Sequence, residues 1–231
     1  MLINELLVEK FGIPERNPHT PDPLTTLIGT ILSQNTNDNN SYKAFQALRK
    51  AYPEWADLND VSIEKIEILI RSAGLTKQKA KAIKTVLHYA IVDKKSSTLS
   101  ALKKLSSDEI LHELTAFDGV GVKTAACVLL FSLDRNVCPV DTHVHRTTNR
   151  LGIVNTSMPE KTFYALYPIL PDGIAHSFHT NLIKLGRSIC TPTNPDCPQC
   201  PLQKVCKYKS KTKASTGKNS KERILLLDNL Y

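Results

Sequence analysis

Phe117-Asp118-Gly119-Val120-Gly121-Val122-Lys123-Thr124-Ala125 is the stretch whose reading decides the fold of this chain. Two glycines bracket a valine directly before an apolar run. Glycine lets the backbone turn tightly and leaves no Cβ in the path of an approaching ligand. The following residues read as a helix, so its unpaired first amides and positive dipole end face the turn, a geometry that accepts a phosphate. A helical pattern also precedes the turn: Ser106 and Glu109 are spaced as a capping box ahead of Ile110, Leu111 and Leu114. Helix, Gly-Val-Gly turn and helix make a helix-hairpin-helix, a device that grips a nucleic-acid backbone without reading bases. Glycine-rich helix connections are common, so the assignment draws its weight from the rest of the chain.

Working outward, the periodicity is helical almost everywhere. Asp22-Pro23 pairs an N-cap with a first-turn proline, and Leu24, Leu27, Ile28, Ile31 and Leu32 follow on one face. Ile63, Ile66 and Ile70 repeat the pattern after Ser62, and Ala80, Ile83, Leu87 and Ala90 repeat it within and beyond the basic stretch 77–84. Ser157 and Glu160, with Pro159 between them, predict a second capping box before Phe163, Leu166, Tyr167 and Leu170. Ile174, Phe178, Leu182, Leu185 and Ile189 lead toward the carboxyl end. Alternating strand patterns are nearly absent. The expected fold is all-α.

The chain has 231 residues, 41% hydrophobic, enough for one good core or two small ones sharing an interface. Its formal net charge is +8. Lys207, Lys209, Lys211, Lys213, Lys218, Lys221 and Arg223 crowd the carboxyl end, opposed only by Glu222 and Asp228. Such a balance points to a polyanion partner, because neutralising phosphates releases counterions; a solvated tail is the plainer alternative. No apolar run reaches the roughly 18 residues of a membrane span, so a soluble protein is expected.

Cys190, Cys197, Cys200 and Cys206 are spaced C-x6-C-x2-C-x5-C, four soft ligands in one short loop. Such a set is a metal site, a set of disulfides or loose thiols. No apolar signal segment is seen, and Cys127 and Cys138 sit in apolar runs, so a reducing, cytoplasmic setting is expected and disulfides are disfavoured. Zinc usually takes two C-x2-C pairs held apart by a longer insert. One short pair flanked by single cysteines suits a [4Fe–4S] cube better.

Two residues carry chemical promise. Lys123 lies in the first turn of the hairpin helix, where a positive helix end and loss of water both favour the free amine that nucleophilic attack needs. Most lysines on helices are simply solvated. Asp141, in Val140-Asp141-Thr142-His143, starts another helix. It is either an N-cap or a carboxylate aimed at a cationic sugar in a transition state.

Taken together, G-V-G-x-K-T-A, V-D-T-H-V-x-R and the cysteine loop resemble the endonuclease III family of the helix-hairpin-helix DNA glycosylase superfamily, over about residues 20–208. The resemblance implies two helical lobes with DNA in the cleft between them. One lobe, 23–133, is a barrel-like set of six helices ending in the hairpin. The other, 1–22 with 134–208, holds a [4Fe–4S] cluster on the four cysteines, and 209–231 is a basic tail whose apolar end, 224–227, is a candidate to dock back. It further implies a bifunctional DNA glycosylase and abasic-site lyase for oxidised pyrimidines, acting as a monomer on damaged or abasic duplex in a prokaryote-like nucleoid. In that chemistry Lys123 attacks C1′ of a flipped nucleoside and Asp141 supports the oxocarbenium-like transition state. A lysine at this position separates lyase-competent members from adenine and mismatch-thymine relatives.

The same resemblance assigns DNA contacts to Gly119, Val120, Gly121, His143 and Arg146, and a wedge to Leu75, whose plainer role is a hydrophobe capping a helix. The stretch I-L-S-Q-N-T is similar to the family's L-S-A-Q-A-T, which fills the vacated stack. Asn35 stands where the family has glutamine, so Gln34 and Asn35 are both candidates. His145 resembles the monofunctional mismatch relatives, which keeps a mismatch uracil or thymine glycosylase as one alternative. A non-catalytic DNA-binding module with a structural metal is the other.

Overall fold

The computed structural model describes residues 1–16 and 19–215. Among them are eleven α-helices and no strand. In chain order these are α1 (Leu2–Phe11), α2 (Pro23–Ser33), α3 (Asp38–Ala51), α4 (Trp55–Asn59), α5 (Ile63–Leu69), α6 (Thr76–His88), α7 (Ser107–Thr115), α8 (Val122–Cys127), α9 (Thr142–Leu151), α10 (Pro159–Leu166) and α11 (Ala175–Ser188). The described residues form two compact units, 1–15 with 135–215, and 16–134. The all-α expectation holds. No helix among the described residues is long and apolar enough to cross a membrane. The basic positions 218, 221 and 223 and the apolar end 224–227 lie outside the described residues.

In the unit 16–134, α2 is the central post. Asp22 caps it, accepting from the Thr25 amide at 3.0 Å and from the Thr25 hydroxyl at 2.6 Å, with Pro23 in the first turn. The sequence predicts one apolar face, but every residue from Pro23 to Leu32 is buried. Its threonines survive burial because each hydroxyl is satisfied. Thr25 accepts from the Trp55 indole at 2.7 Å, Thr26 accepts from Ser132 at 2.6 Å, and Thr30 donates to the Thr26 carbonyl at 2.7 Å. Helices α3, α6 and α8 pack around this post. Ser106 and Glu109 form the capping box expected for α7.

In the other unit, α11 is the buried helix, with α1 and α9 against it and α10 on α9. Ser177 Oγ donates to Asn4 at 3.2 Å and Asn181 donates to the Gly12 carbonyl at 3.0 Å, which ties the amino-terminal helix to α11. The capping box expected at Ser157 does not form. Pro159 takes the first helical position, Met158 becomes the N-cap without a side-chain bond, and Glu160 falls one place short of the reciprocal site. Cys127 and Cys138 are buried, as their apolar surroundings predict.

Candidate functional site

Three loops of the unit 16–134 converge through side-chain to backbone bonds. The first is the hairpin. Gly119 has φ 87°, and a Cβ there would come within 2.8 Å of Ala82 Cβ on α6, so conformation and packing both require glycine. Gly121 is different. Its backbone is extended and a Cβ would meet nothing of the chain within 4 Å, so the fold itself leaves that position open. Phe117 packs on Tyr89 with ring centroids 4.7 Å apart, anchoring the start of the turn. Val120, expected among the DNA contacts, turns inward: its side chain is 4% exposed and its amide donates to the Phe117 carbonyl at 3.0 Å. No side chain caps α8. Lys123 is its second residue and half-buried.

The second loop follows α2. Gln34 is half-buried, and its Nε2 donates to the Gly119 carbonyl at 2.8 Å and to Thr124 Oγ1 at 3.3 Å. The two candidates for filling a base stack are therefore unlike. Gln34 spans the foot of the hairpin, whereas Asn35 is exposed in the left-handed region at φ 50°.

The third loop precedes α6. Gly74, at φ 68° and ψ 171°, occupies a region open essentially to glycine alone. It delivers Leu75, 48% exposed and left-handed at φ 48°, to the N-cap of α6. Both readings of Leu75 meet here, since it caps the helix by position and still presents its side chain to solvent.

One residue of this region escaped the sequence reading. Lys79 on α6 is 2% exposed, and its ammonium donates to the Leu32 carbonyl at 2.9 Å and to the Ala73 carbonyl at 2.8 Å. Burial pushes its pKa down to about 8. In sequence it is one more lysine in a basic stretch. Its only signal is its place on the apolar face, one residue from Ala80 and four from Ile83.

In the other unit, Asp141 is the N-cap of α9. Its Oδ1 accepts from the amides of His143 at 2.9 Å and Val144 at 2.8 Å, so Oδ2 has no part in the cap. Burial holds the His143 imidazole below its ordinary value, with the Asp141 charge opposing. Arg146, expected as a DNA contact, has its guanidinium turned inward. It donates to the carbonyls of Cys190 at 2.9 Å and Gly186 at 2.8 Å and meets His143 Nδ1 at 3.1 Å. His145 Nδ1 lies 2.6 Å from Thr162 Oγ1, a structural bond between α9 and α10.

Cys190, Cys197, Cys200 and Cys206 are free thiols and all four line one pocket, with Arg150, Tyr208 and Lys211 at its wall. Among the described residues, no three His, Cys, Asp or Glu side chains gather as ligands of a single ion. Arg150, also missed from sequence, donates to Cys190 Sγ at 3.3 Å and to the carbonyls of Thr191 at 2.7 Å and Pro192 at 2.8 Å. Its guanidinium stacks on Tyr208 at 4.4 Å. Burial pushes the Cys200 thiol up to about 11, and the three neighbouring cysteines add to the shift. The pocket thus sets four soft donors beside the Arg150 guanidinium, a donor type that suits a soft metal. The start of the expected tail belongs to this wall, because Thr212 accepts from the Cys197 amide at 3.2 Å and Ser215 donates to Asp196 at 2.8 Å.

Residues 28–171 match the HhH-GPD superfamily of base excision DNA repair proteins. The chain is 35% identical to endonuclease III of Thermotoga maritima, over 96% of this chain and 100% of that one. It belongs to the endonuclease III family. Endonuclease III of Sulfolobus acidocaldarius is 31% identical, over 82% of this chain and 83% of its own. A solved endonuclease III–DNA complex superposes with a TM-score of 0.74 at 28% identity, covering 89% and 92% of the two chains. As a member of this family the chain is a DNA glycosylase and abasic-site lyase of base excision repair.

Proposed function

We propose that Lys123 is the nucleophile of this enzyme. The supporting observation is its place in the first turn of α8, two residues after the exposed Gly121 and directly ahead of the buried Thr124. The Lys123 amine forms a bond to C1′ of the flipped nucleoside as the glycosidic bond breaks and the base departs with the electron pair and takes up a proton. The nitrogen loses a proton, the C1′–O4′ bond opens and O4′ is protonated, leaving an iminium at C1′ that acidifies the 2′ carbon. Loss of a 2′ proton expels the 3′ phosphate, so the strand is cut by β-elimination. Asp141 offsets the positive charge that develops on the sugar, an interaction stronger in the transition state than in the ground state.

The partner is duplex DNA with a damaged base, an oxidised pyrimidine in this reading. The amides at the start of α8 and the open approach at Gly121 meet phosphate. Asn35 and Leu75 enter the stack around the flipped nucleotide. His143 and Arg146 act behind the contact surface, fixing Asp141 and the cysteine loop.

Cys190, Cys197, Cys200 and Cys206 hold a [4Fe–4S] cluster, with Arg150 as the hydrogen-bond donor to one sulfur. When bound, the cluster supplies a fixed core for the loop that carries Lys204 and Lys207 toward DNA. The protein works as a monomer in a reducing cytoplasm.

Borohydride reduction on abasic duplex tests the central assignment. The native chain is expected to form a covalent adduct and Lys123→Ala none, with DNA affinity nearly kept. Undiminished trapping in Lys123→Ala would show that another amine does the chemistry. An excision panel of oxidised pyrimidines, uracil mismatches and oxidised guanine names the base.

A further inference from the structure

Asn35 and Leu75 share an unusual property. Both are exposed non-glycine residues in the left-handed region, at φ 50° and 48°. That backbone persists only where the surroundings over-determine it. Each follows shortly after a carbonyl without a partner in its own helix: Leu32 near the end of α2, and Ala73 at the end of the short helical turn Arg71–Ala73. The Lys79 ammonium binds both carbonyls, at 2.9 Å and 2.8 Å. Among the described residues no carboxylate forms an ion pair with it. Helix-end carbonyls carry partial negative charge, so a buried cation fits them without an acid.

We propose that Lys79 is a positioning residue that clamps the Asn35 and Leu75 loops in the relative placement both side chains need to enter one base stack. This rests on the reading that those two residues are the stack-filling pair. A surface bond would leave each loop free to drift. One buried ammonium bonded to both carbonyls makes the two loops a single body, so unstacking on either side of the flipped nucleotide happens together. Gln34 extends the same body to the hairpin through Gly119.

The test compares Lys79→Met with the native chain in two measurements. Amide hydrogen exchange is expected to rise in both loops, 33–37 and 73–76, while α9 and α11 keep their protection. Excision from fully paired duplex should fall about tenfold or more, with strand cleavage at a preformed abasic site within about threefold of native, because a displacement near 1 Å in a positioning element costs rate steeply. Lys79→Arg, which keeps the charge and the donors, should recover most of the paired-duplex rate. A folded Lys79→Met with native exchange in both loops overturns the proposal. So does an equal loss on the two substrates, which a merely structural role produces. Raised exchange with an undiminished paired-duplex rate also overturns it, because the loops would then be coupled without serving unstacking. If the methionine variant does not fold, Lys79→Gln, a shorter stem with a donor, carries the same measurements. The exchange arm needs no DNA chemistry, so its failure is distinguishable from a failure of the Lys123 assignment, which the borohydride adduct reports.

Discussion

Gln34 Nε2 donates to the carbonyl of Gly119 at 2.8 Å, joining the end of the central helix to the first glycine of the hairpin. The same nitrogen reaches Thr124 Oγ1 at 3.3 Å, so it braces both sides of the turn that presents Lys123. Gln34→Glu removes the donor at nearly constant shape and sets a carboxylate against a carbonyl. Imine formation is expected to slow by about tenfold. Stability should fall by about 0.5–1.5 kcal/mol, the net contribution of one hydrogen bond whose acceptor water can still reach. Stopped borohydride trapping and denaturant unfolding on one preparation check both numbers.

Asp141 serves a cap and a chemical role with different atoms, which makes them separable. Asparagine is as good an N-cap as aspartate. Asp141→Asn should therefore melt within a few degrees of native while base release slows by about a hundredfold or more, the scale for losing a charge aimed at a transition state. Single-turnover excision together with a melting curve decides. A parent-like rate would leave Asp141 as a helix cap alone.

Leu75 is 48% exposed, so its truncation should not behave like that of a core leucine. Leu75→Ala should change stability by well under the roughly 2–5 kcal/mol of a core cavity. It should slow processing of lesions in paired duplex more than processing of abasic sites, because unstacking an intact base is the step it assists. Leu75→Gly should be more stable than Leu75→Ala, since glycine relieves a left-handed residue by about 1 kcal/mol. Equal loss on both substrates with a large drop in melting temperature would end the wedge reading.

The cysteine pocket predicts brown protein with about four irons per chain. Arg150→Met removes the donor to Cys190 Sγ, and such outer partners typically carry about 10–100-fold in metal affinity. Iron should then be lost faster to a chelator, while the fold of residues 16–134, monitored by exchange, is unchanged. Colourless protein with one zinc per chain would replace the cluster by a mononuclear centre.

Lys79 makes stability depend on pH in a definite direction. Burial lowers its pKa from 10.5 to about 8, so the folded chain holds fewer protons than the unfolded chain between those values. The cost of burying the ammonium is full below about 8 and fades as pH rises toward 10.5, so the native chain should gain on the order of 3 kcal/mol relative to Lys79→Met across that window. Denaturant unfolding of both proteins at several pH values gives the difference slope. A flat difference means that the helix-end carbonyls fully offset the desolvation.

The sequence alone determined the helical class, the hairpin, the cap of α2, the capping box of α7 and the clustering of four cysteines. Each is a local pattern: apolar spacing, a capping side chain, two glycines around a valine, or thiols held within one short loop. What lies hundreds of atoms apart along the chain left no such mark. Lys79 reads as one basic residue among several until α2 and the Arg71–Ala73 turn bring two open carbonyls to it. Gln34 and Asn35 are adjacent and chemically alike, and only packing turns one toward Gly119 and leaves the other exposed. Arg146 is expected as a DNA contact and Arg150 reads as an ordinary cation on a basic chain, yet both guanidiniums turn toward carbonyls around the cysteine loop. Partial charges on buried carbonyls have no sequence of their own, because every residue carries one. Where the chain leaves them unpaired is settled by tertiary packing, and that is where the side chains no local pattern identifies are drawn.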